Sequence, residues 1–311
     1  MEIIPFNKEI DLGFSPVMTV GMFDGVHIGH QKLLTLLKTK ARELGTKPIV
    51  ITFDNHPRLI LQPKDAKDSI KLLQTNEERF EKLFSLGFEK IITIPFSKEF
   101  SQISAVDFLD ILMKKYSPQY LLMGYDNNFG RKYAEEFEDL VAESKLKGLI
   151  LERTDECVFF EKTKVSSTQI RKALEEGDIK LASSMLGGDY IFNGTVIQGN
   201  QIGRTINFPT ANIGINENKL LPRFGVYAVR VNVENKFYDG VLNIGIRPTI
   251  DNSPITIETF IFDYKGNLYD KKLRIHFIEY IRPEEKFYKL EELKEQIELD
   301  CIKAKEILSI Q

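Results

Sequence analysis

The stretch Thr19-Val20-Gly21-Met22-Phe23-Asp24-Gly25-Val26-His27-Ile28-Gly29-His30 runs from an apolar, strand-like segment through a glycine-punctuated loop into an amphipathic run. It reads as a phosphate site. Gly21, Gly25 and Gly29 let the backbone turn sharply and leave room for a bulky anion. A helix is predicted to begin near His30, so that its free N–H groups and the positive end of its dipole face the same spot. His27 and His30 are three apart and share a side of the helix entrance, with Gly29 removing a side chain between them. Two imidazoles then point at one anion. Two surface histidines in a turn, or a metal pair, are the competing readings. Against a zinc site, the chain has only four histidines, two of them here, and no cysteine pair lies nearby.

Outward from this stretch, the first half alternates short apolar runs with helical patterns, the signature of a parallel sheet with crossover helices. Strands are predicted at 17–20, 48–53, 91–94, 120–123 and 149–151. Leu33, Leu36 and Leu37 mark the buried stripe of a helix that stops near Gly45, and Phe80, Leu83 and Phe84 repeat the spacing before Gly87. Ser104, with Asp107 three residues on, reads as the N-cap of a further helix. The loop 124–130 follows a strand, as the histidine loop does, and such loops are where open α/β sheets bind ligands. In Ser166-Ser167-Thr168-Gln169-Ile170-Arg171 a serine hydroxyl caps another helix, and Arg171 lies within reach of a phosphate held there. On the residues alone the cap is the plainer role, and the two roles are compatible.

Around Gly187-Gly188 the texture changes to period-two segments at 225–233, 238–244, 255–263 and 273–280. Glu234-Asn235-Lys236 and Lys265-Gly266-Asn267 have the composition of hairpin turns. Together these predict a small antiparallel barrel. Pro283 is expected to open a charged helix laying Leu290, Leu293, Ile297, Ile302 and Ile307 over one side of it. The fold class is therefore α/β plus β. A Rossmann-like domain with a parallel sheet occupies residues 1–186, and a small antiparallel β-barrel with a terminal helix occupies 187–311.

The barrel half holds a second constellation. Gly194, Gly199 and Gly203 with Arg204 beside them make either a phosphate cradle or a barrel corner in which glycines serve curvature. Thr210 and Asn212 are neutral oxygen donors at alternating positions, facing the same way, and hard oxygens suit Mg²⁺ carrying a nucleotide. Glu258 sits in an otherwise apolar strand, on the face shared with Thr256 and Phe260, as a solvent-facing carboxylate or a placed general base.

The 311 residues suggest two domains, and 42% hydrophobic with 28% charged residues is ordinary for a globular chain. A net charge of −3 gives no broad basic field, so bulk electrostatics point away from a nucleic-acid partner. The start is interrupted by charges and Pro5, unlike a signal peptide, and no apolar run approaches the length of a membrane span. Cys157 and Cys301 are far apart, and a cytoplasmic location is expected.

The His-x-Gly-His arrangement between strand and helix resembles the nucleotidyltransferase signature, in which imidazoles donate to triphosphate oxygens as charge builds at the α-phosphorus. With the ordered motifs that follow, nearly the whole chain resembles the bacterial bifunctional riboflavin kinase/FAD synthetase family. The resemblance makes the first domain an FMN adenylyltransferase module, with His27 and His30 as catalytic histidines and Gly21, Phe23, Asp24, Gly25 and Gly29 around the nucleotide. Asp126 in the 124–130 loop and Ser166, Ser167, Thr168 and Arg171 match that module's other nucleotide motifs. The barrel is then a riboflavin kinase, its Pro-Thr-Ala-Asn motif at Pro209-Thr210-Ala211-Asn212, with Gly199, Gly203 and Arg204 on the nucleotide. Thr210 and Asn212 would hold Mg²⁺ and ATP phosphates, and Glu258 would deprotonate the ribityl 5′-hydroxyl. Riboflavin, FMN and ATP are the implied substrates, with flavin-requiring apoproteins as potential recipients of the product. Asn127, Ile246 and Ile250 depart from the family pattern, which has an aromatic residue, an Asn and an aromatic residue there. They prompt the alternative that one activity is retained and the other module only binds flavin.

Overall fold

The computed structural model describes residues 1–61, 70–125, 137–154, 157–199, 208–246 and 255–309. Proximity divides the chain into two compact units, Met1–Leu72 with Asn76–Val165, and Leu73–Thr75 with Ser166–Gln311.

The first unit is built on a parallel sheet of β1 (Glu2–Pro5), β2 (Val17–Val20), β3 (Pro48–Phe53), β4 (Lys90–Ile94), β5 (Tyr120–Met123) and β6 (Ile150–Arg153), in the order β1-β4-β3-β2-β5-β6. Around it lie α1 (Ile28–Glu43), α2 (Pro57–Leu61), α3 (Asn76–Ser85), α4 (Ala105–Tyr116) and α5 (Phe137–Leu146), with a hairpin of β7 (Phe159–Phe160) and β8 (Thr163–Lys164). All four residues of β2, and all four of β5, are buried, because helices cover both faces of the sheet. Met18, Val20, Ile49, Ile51 and Leu121 face the α4 side, and Val17, Val50, Tyr120 and Leu122 face α1. From β2 the chain moves outward through β3 to β4, then returns to the opposite side of β2 with β5. The carboxyl ends of β2 and β5 therefore flank the switch point at which open sheets take ligands, and the histidine loop leaves β2 there.

Three expectations for this unit change in detail, and one strand is added to those expected. The helix after the glycine loop begins at Ile28 rather than near His30, because His27 itself is the N-cap. Its buried stripe is Leu33, Leu34, Leu37 and Ala41, while Leu36 is 38% exposed. The last strand starts at Ile150, one residue later than expected. β1 joins the sheet edge beside β4 although its four residues, only one of them buried, carry no strand pattern.

The second unit opens with α6 (Ser167–Glu176) and α7 (Ile179–Leu186), and continues as β9 (Tyr190–Ile197), β10 (Ala211–Gly214), β11 (Gly225–Val233), β12 (Lys236–Ile246), β13 (Ile255–Ile261), β14 (Lys272–Arg282) and α8 (Leu290–Ser309). The six strands close in the order β10-β13-β12-β11-β14-β9. Tyr190, Phe192, Tyr227 and Phe277 fill the interior, with rings of the first three 5.1 to 5.9 Å from that of Phe277. Residues 166–186, placed with the α/β half in the expected 1–186 and 187–311 division, group here with the barrel. Arg223 N–H donates to Leu174 O at 2.8 Å, and Lys180 pairs with Glu279 at 2.7 Å.

Glu234 and Asn235, both in the left-handed region, make the predicted hairpin between β11 and β12. Lys265-Gly266-Asn267 does not make a hairpin. β13 pairs with β12 and β10, while β14 pairs with β11 and β9, so this turn-rich segment joins strands that are not neighbours. Gly194 to Ile197 are strand, not phosphate loop. The terminal helix opens at Leu290 instead of Pro283, since Glu284 is engaged by the Ile246 N–H at 3.3 Å and the chain follows the barrel surface first. Its packed stripe is Ile297, Cys301, Ala304 and Leu308 with Ile307, leaving Leu290 and Ile302 more than half exposed. Among the described residues no helix is long and apolar enough to cross a membrane.

Candidate active sites

The loop between β2 and α1 brings the two histidines into one stack. Their ring centroids are 3.6 Å apart and the planes differ by 15°. His27 Nδ1 accepts from the His30 N–H at 3.3 Å, which caps the helix and fixes the proton of a neutral His27 ring on Nε2. The first-turn N–H groups of Ile28 and Gly29 have no acceptor within the helix and remain suited to an anion. Burial pushes the His27 imidazole down to about 4 and His30 well below its ordinary value, the latter also through the neighbouring ring. Both rings are thus neutral at pH 7, each with one N–H to donate.

The rest of the loop packs around this stack. Gly25 has φ +86°, which requires glycine, and a side chain at Gly29 would press within 3.1 Å of the His27 ring. At Gly21 the space is taken by the Phe23 ring, 3.0 Å from where a Cβ would lie. Phe23, expected at the nucleotide, is 2% exposed and meets His30 edge-on at 5.3 Å. Asp24 is 3% exposed. Phe23 and Val26 adopt positive φ (52° and 39°) without being glycine, which costs roughly 1–3 kcal/mol each.

Sequence reading missed what holds that strain. Arg79, 1% exposed on α3, donates from Nη1 to Met22 O at 3.1 Å, and from Nη2 to Phe53 O and to Asn76 Oδ1 at 2.9 Å. Thr52 Oγ1 donates to the same Met22 carbonyl at 3.2 Å. Burial lowers the guanidinium to about 10, opposed by the Asp24 and Asp54 carboxylates, so it stays charged. In sequence Arg79 is one charge in the polar run Asn76-Glu77-Glu78-Arg79, with nothing to mark it as buried.

Ser166, Ser167, Thr168 and Arg171 belong to the second unit. Ser166 is the N-cap of α6, accepting from the Gln169 N–H at 3.3 Å, and Thr168 is exposed. Asp126, Gly203 and Arg204, with the departures Asn127 and Ile250, lie outside the described residues. Ile246 ends β12 and is 51% exposed.

The barrel assembles its own constellation across three strands. Glu258 of β13 stands opposite Asn212 of β10 and opposite Asn243 of β12, and directly opposed residues share a face. Thr210 Oγ1 donates to Glu258 Oε2 at 3.1 Å. Gly199 lies so close to Asn212 that any side chain there would collide with its amide. Thr210 borders two cavities. The larger, about 470 Å³, is lined by Gly199, Asn212, Tyr264 and Tyr269 among others. The smaller, about 260 Å³, has Glu258 and Asn243 on one side and Phe208, Phe260 and Phe287 as aromatic walls. Its far wall is tied down by Arg282, which forks onto buried Asp300 of α8 through two 2.8 Å bonds. Thr210, Asn212 and Glu258 form an oxygen-only donor set, which suits Mg²⁺ rather than a thiophilic metal. Asn243, Arg282 and Asp300 escaped the sequence reading because only strand register and the helix position bring them here.

The family model for FAD synthetase matches residues 14–169, and that for riboflavin kinase matches 186–308. The bifunctional riboflavin kinase/FMN adenylyltransferase of Listeria monocytogenes is 35% identical over 91% of this chain and 90% of its own length. Those of Bacillus subtilis and Haemophilus influenzae are each 37% identical, covering 91% and 93% of this chain and 90% and 92% of theirs. A solved structure from Streptococcus pneumoniae, described as a macrolide-efflux protein, matches with TM-score 0.85 and 29% identity over 96% of this chain and 97% of its own. With two family models in tandem and relatives matched over nearly their full length, the chain belongs to the bifunctional riboflavin kinase/FMN adenylyltransferase family.

Proposed function

We propose that the chain converts riboflavin to FAD in two ATP-consuming steps, phosphorylation in the barrel unit and adenylylation in the α/β unit. Riboflavin and ATP give FMN and ADP; FMN and a second ATP give FAD and pyrophosphate. The observation that carries the reading is the pairing of two unlike phosphate sites, stacked imidazoles at a helix mouth and a carboxylate–threonine–asparagine cluster on a barrel.

In the barrel, Glu258 takes the proton of the ribityl 5′-hydroxyl as that oxygen attacks the γ-phosphorus of ATP, because an alcohol is a poor nucleophile while it keeps its proton. The aromatic walls of the smaller cavity suit a flavin ring, and the larger cavity suits the nucleotide, which leaves Thr210 and Glu258 between donor and acceptor. Thr210 and Asn212 would hold Mg²⁺, whose charge would neutralise the phosphates.

In the α/β unit no base is required, since the FMN phosphate is already an anion. The residues have to align it and meet the charge growing on the triphosphate. His27 donates from Nε2, His30 from its own N–H, and the first turn of α1 adds backbone donors. Ser166, Ser167, Thr168 and Arg171 are assigned to nucleotide binding on the strength of the family resemblance. We place the enzyme in the cytoplasm, delivering FAD to flavin-requiring apoproteins. Incubating the purified chain with riboflavin, ATP and Mg²⁺ and separating the flavins by chromatography should show FMN rising and then giving way to FAD. Unchanged riboflavin, together with supplied FMN that is not adenylylated, would reject both halves.

A further inference from the structure

We infer that Arg79 is a positioning residue for adenylyl transfer, its guanidinium clamping the Met22 and Phe53 carbonyls so that the strained loop presents His27 and His30 as a stacked pair. The inference rests on the adenylyltransferase reading of that loop. Phe53 is the last residue of β3 and Met22 lies two residues beyond the end of β2, so one side chain ties together the two strand ends that flank the loop. Phe23 follows Met22 directly, in the left-handed region, and its buried ring supports His30. Released from Arg79, the Met22 carbonyl keeps the Thr52 hydroxyl as its one donor among the described residues, and the Phe23 peptide is free to relax toward negative φ and draw its ring from under His30. The guanidinium serves these acceptors from two separate nitrogens, Nη1 for Met22 O and Nη2 for Phe53 O and Asn76 Oδ1, whereas an ammonium has to reach all of them from a single atom. Asn76 continues the network by donating from Nδ2 to Asp54 O at 2.7 Å, and Asp54 Oδ1 accepts from the Phe96 N–H at 3.3 Å. Arg79 acts only through the loop and is given no contact with substrate.

The full-length protein and its Arg79→Gln and Arg79→Lys variants are to be compared for FAD formation from supplied FMN and for FMN formation from riboflavin. For Arg79→Gln we expect kcat for FAD formation to fall about tenfold or more, the KM for ATP to change by less than about threefold, and riboflavin phosphorylation to hold within about twofold. Arg79→Lys should recover part of the loss. The ¹⁵N shifts of His27 should report an accepting Nδ1 in the parent and move toward those of a solvated ring in Arg79→Gln. Unchanged kcat, or a loss carried wholly by KM, would overturn the inference. If Arg79→Gln fails to fold, Arg79→Lys decides, since it keeps a buried positive charge but loses the fork that holds both carbonyls. About a threefold fall in kcat supports the clamp, and an unchanged rate overturns it. A parent protein that makes no FAD would instead reject the adenylyltransferase reading itself.

Discussion

The two sites are built in opposite ways. At the histidine site, capping residue, paired rings, supporting Phe23 and the first turn of α1 all come from ten consecutive residues, 21–30, and a single strand–turn–helix unit sets their geometry. At the barrel site, Asn212, Asn243 and Glu258 come from three strands and Thr210 from the residue just before β10, and their meeting depends on the register of two antiparallel pairs. A local site depends on backbone conformations that one buried side chain can hold in place. A register-built site depends on the barrel as a whole, because a one-residue slip would turn every member to the other face.

The largest expected effect tests whether the two sites are chemically separate. Glu258→Ala should lower FMN formation from riboflavin by about 10²–10⁴-fold while FAD formation from supplied FMN continues. His27→Ala should do the reverse, with a loss of about 10²–10³-fold in adenylylation. Flavin chromatography of each reaction, started separately, reads both. If either substitution suppresses both reactions equally, the sites are not independent.

A smaller effect sharpens the contrast through pH. The folded His27 titrates near 4 and an unfolded histidine near 6.5, so between these values the unfolded chain binds more protons than the folded one. The α/β unit should therefore lose stability as pH falls from 6.5 to 4, by about 3 kcal/mol for His27 alone, and regain none of it lower down. His27→Gln should remove the share of His27 from this dependence and leave that of His30, in urea titrations followed by probes in that unit. The same depressed value predicts little proton uptake when a triphosphate binds at pH 7, since both rings meet it as neutral donors. Isothermal calorimetry in buffers of different ionisation enthalpy measures that uptake, and about one proton taken up per triphosphate would mean that a ring charges against the phosphates.

How far each site could be read in the sequence follows from the same difference. The histidine loop, the strands 17–20, 48–53 and 120–123, and the caps at Ser104 and Ser166 were legible because glycine punctuation, apolar runs and capping hydroxyls act within a few residues. Thr210, Asn212 and Glu258 were each visible, but only the family resemblance joined them before the register did. Arg79 was invisible, since burial of a charge is decided by Met22, more than fifty residues earlier. The turn at 265–267 had hairpin composition yet links strands on different sides of the barrel. Composition specifies that the chain turns, whereas pairing is settled by which strands close the cylinder.

The smallest expected effect concerns α8, where periodicity placed Ile297 and Ile307 correctly on the packed stripe but also put the exposed Leu290 and Ile302 there. Ile302 fits an apolar pattern but is 57% exposed, whereas Leu308, six residues on, is 4% exposed against the barrel. Ile302→Ser should change stability by no more than about 0.5 kcal/mol and leave FMN formation untouched. Leu308→Ala should cost about 2–5 kcal/mol in thermal or urea unfolding of the barrel unit. Because Asp300, on the same helix, anchors Arg282 at the wall of the smaller cavity, Leu308→Ala should also raise the KM for riboflavin more than that for ATP. Equal responses of the two variants would mean that α8 does not rest on the barrel through Cys301, Ala304 and Leu308, and that the cavity is walled some other way.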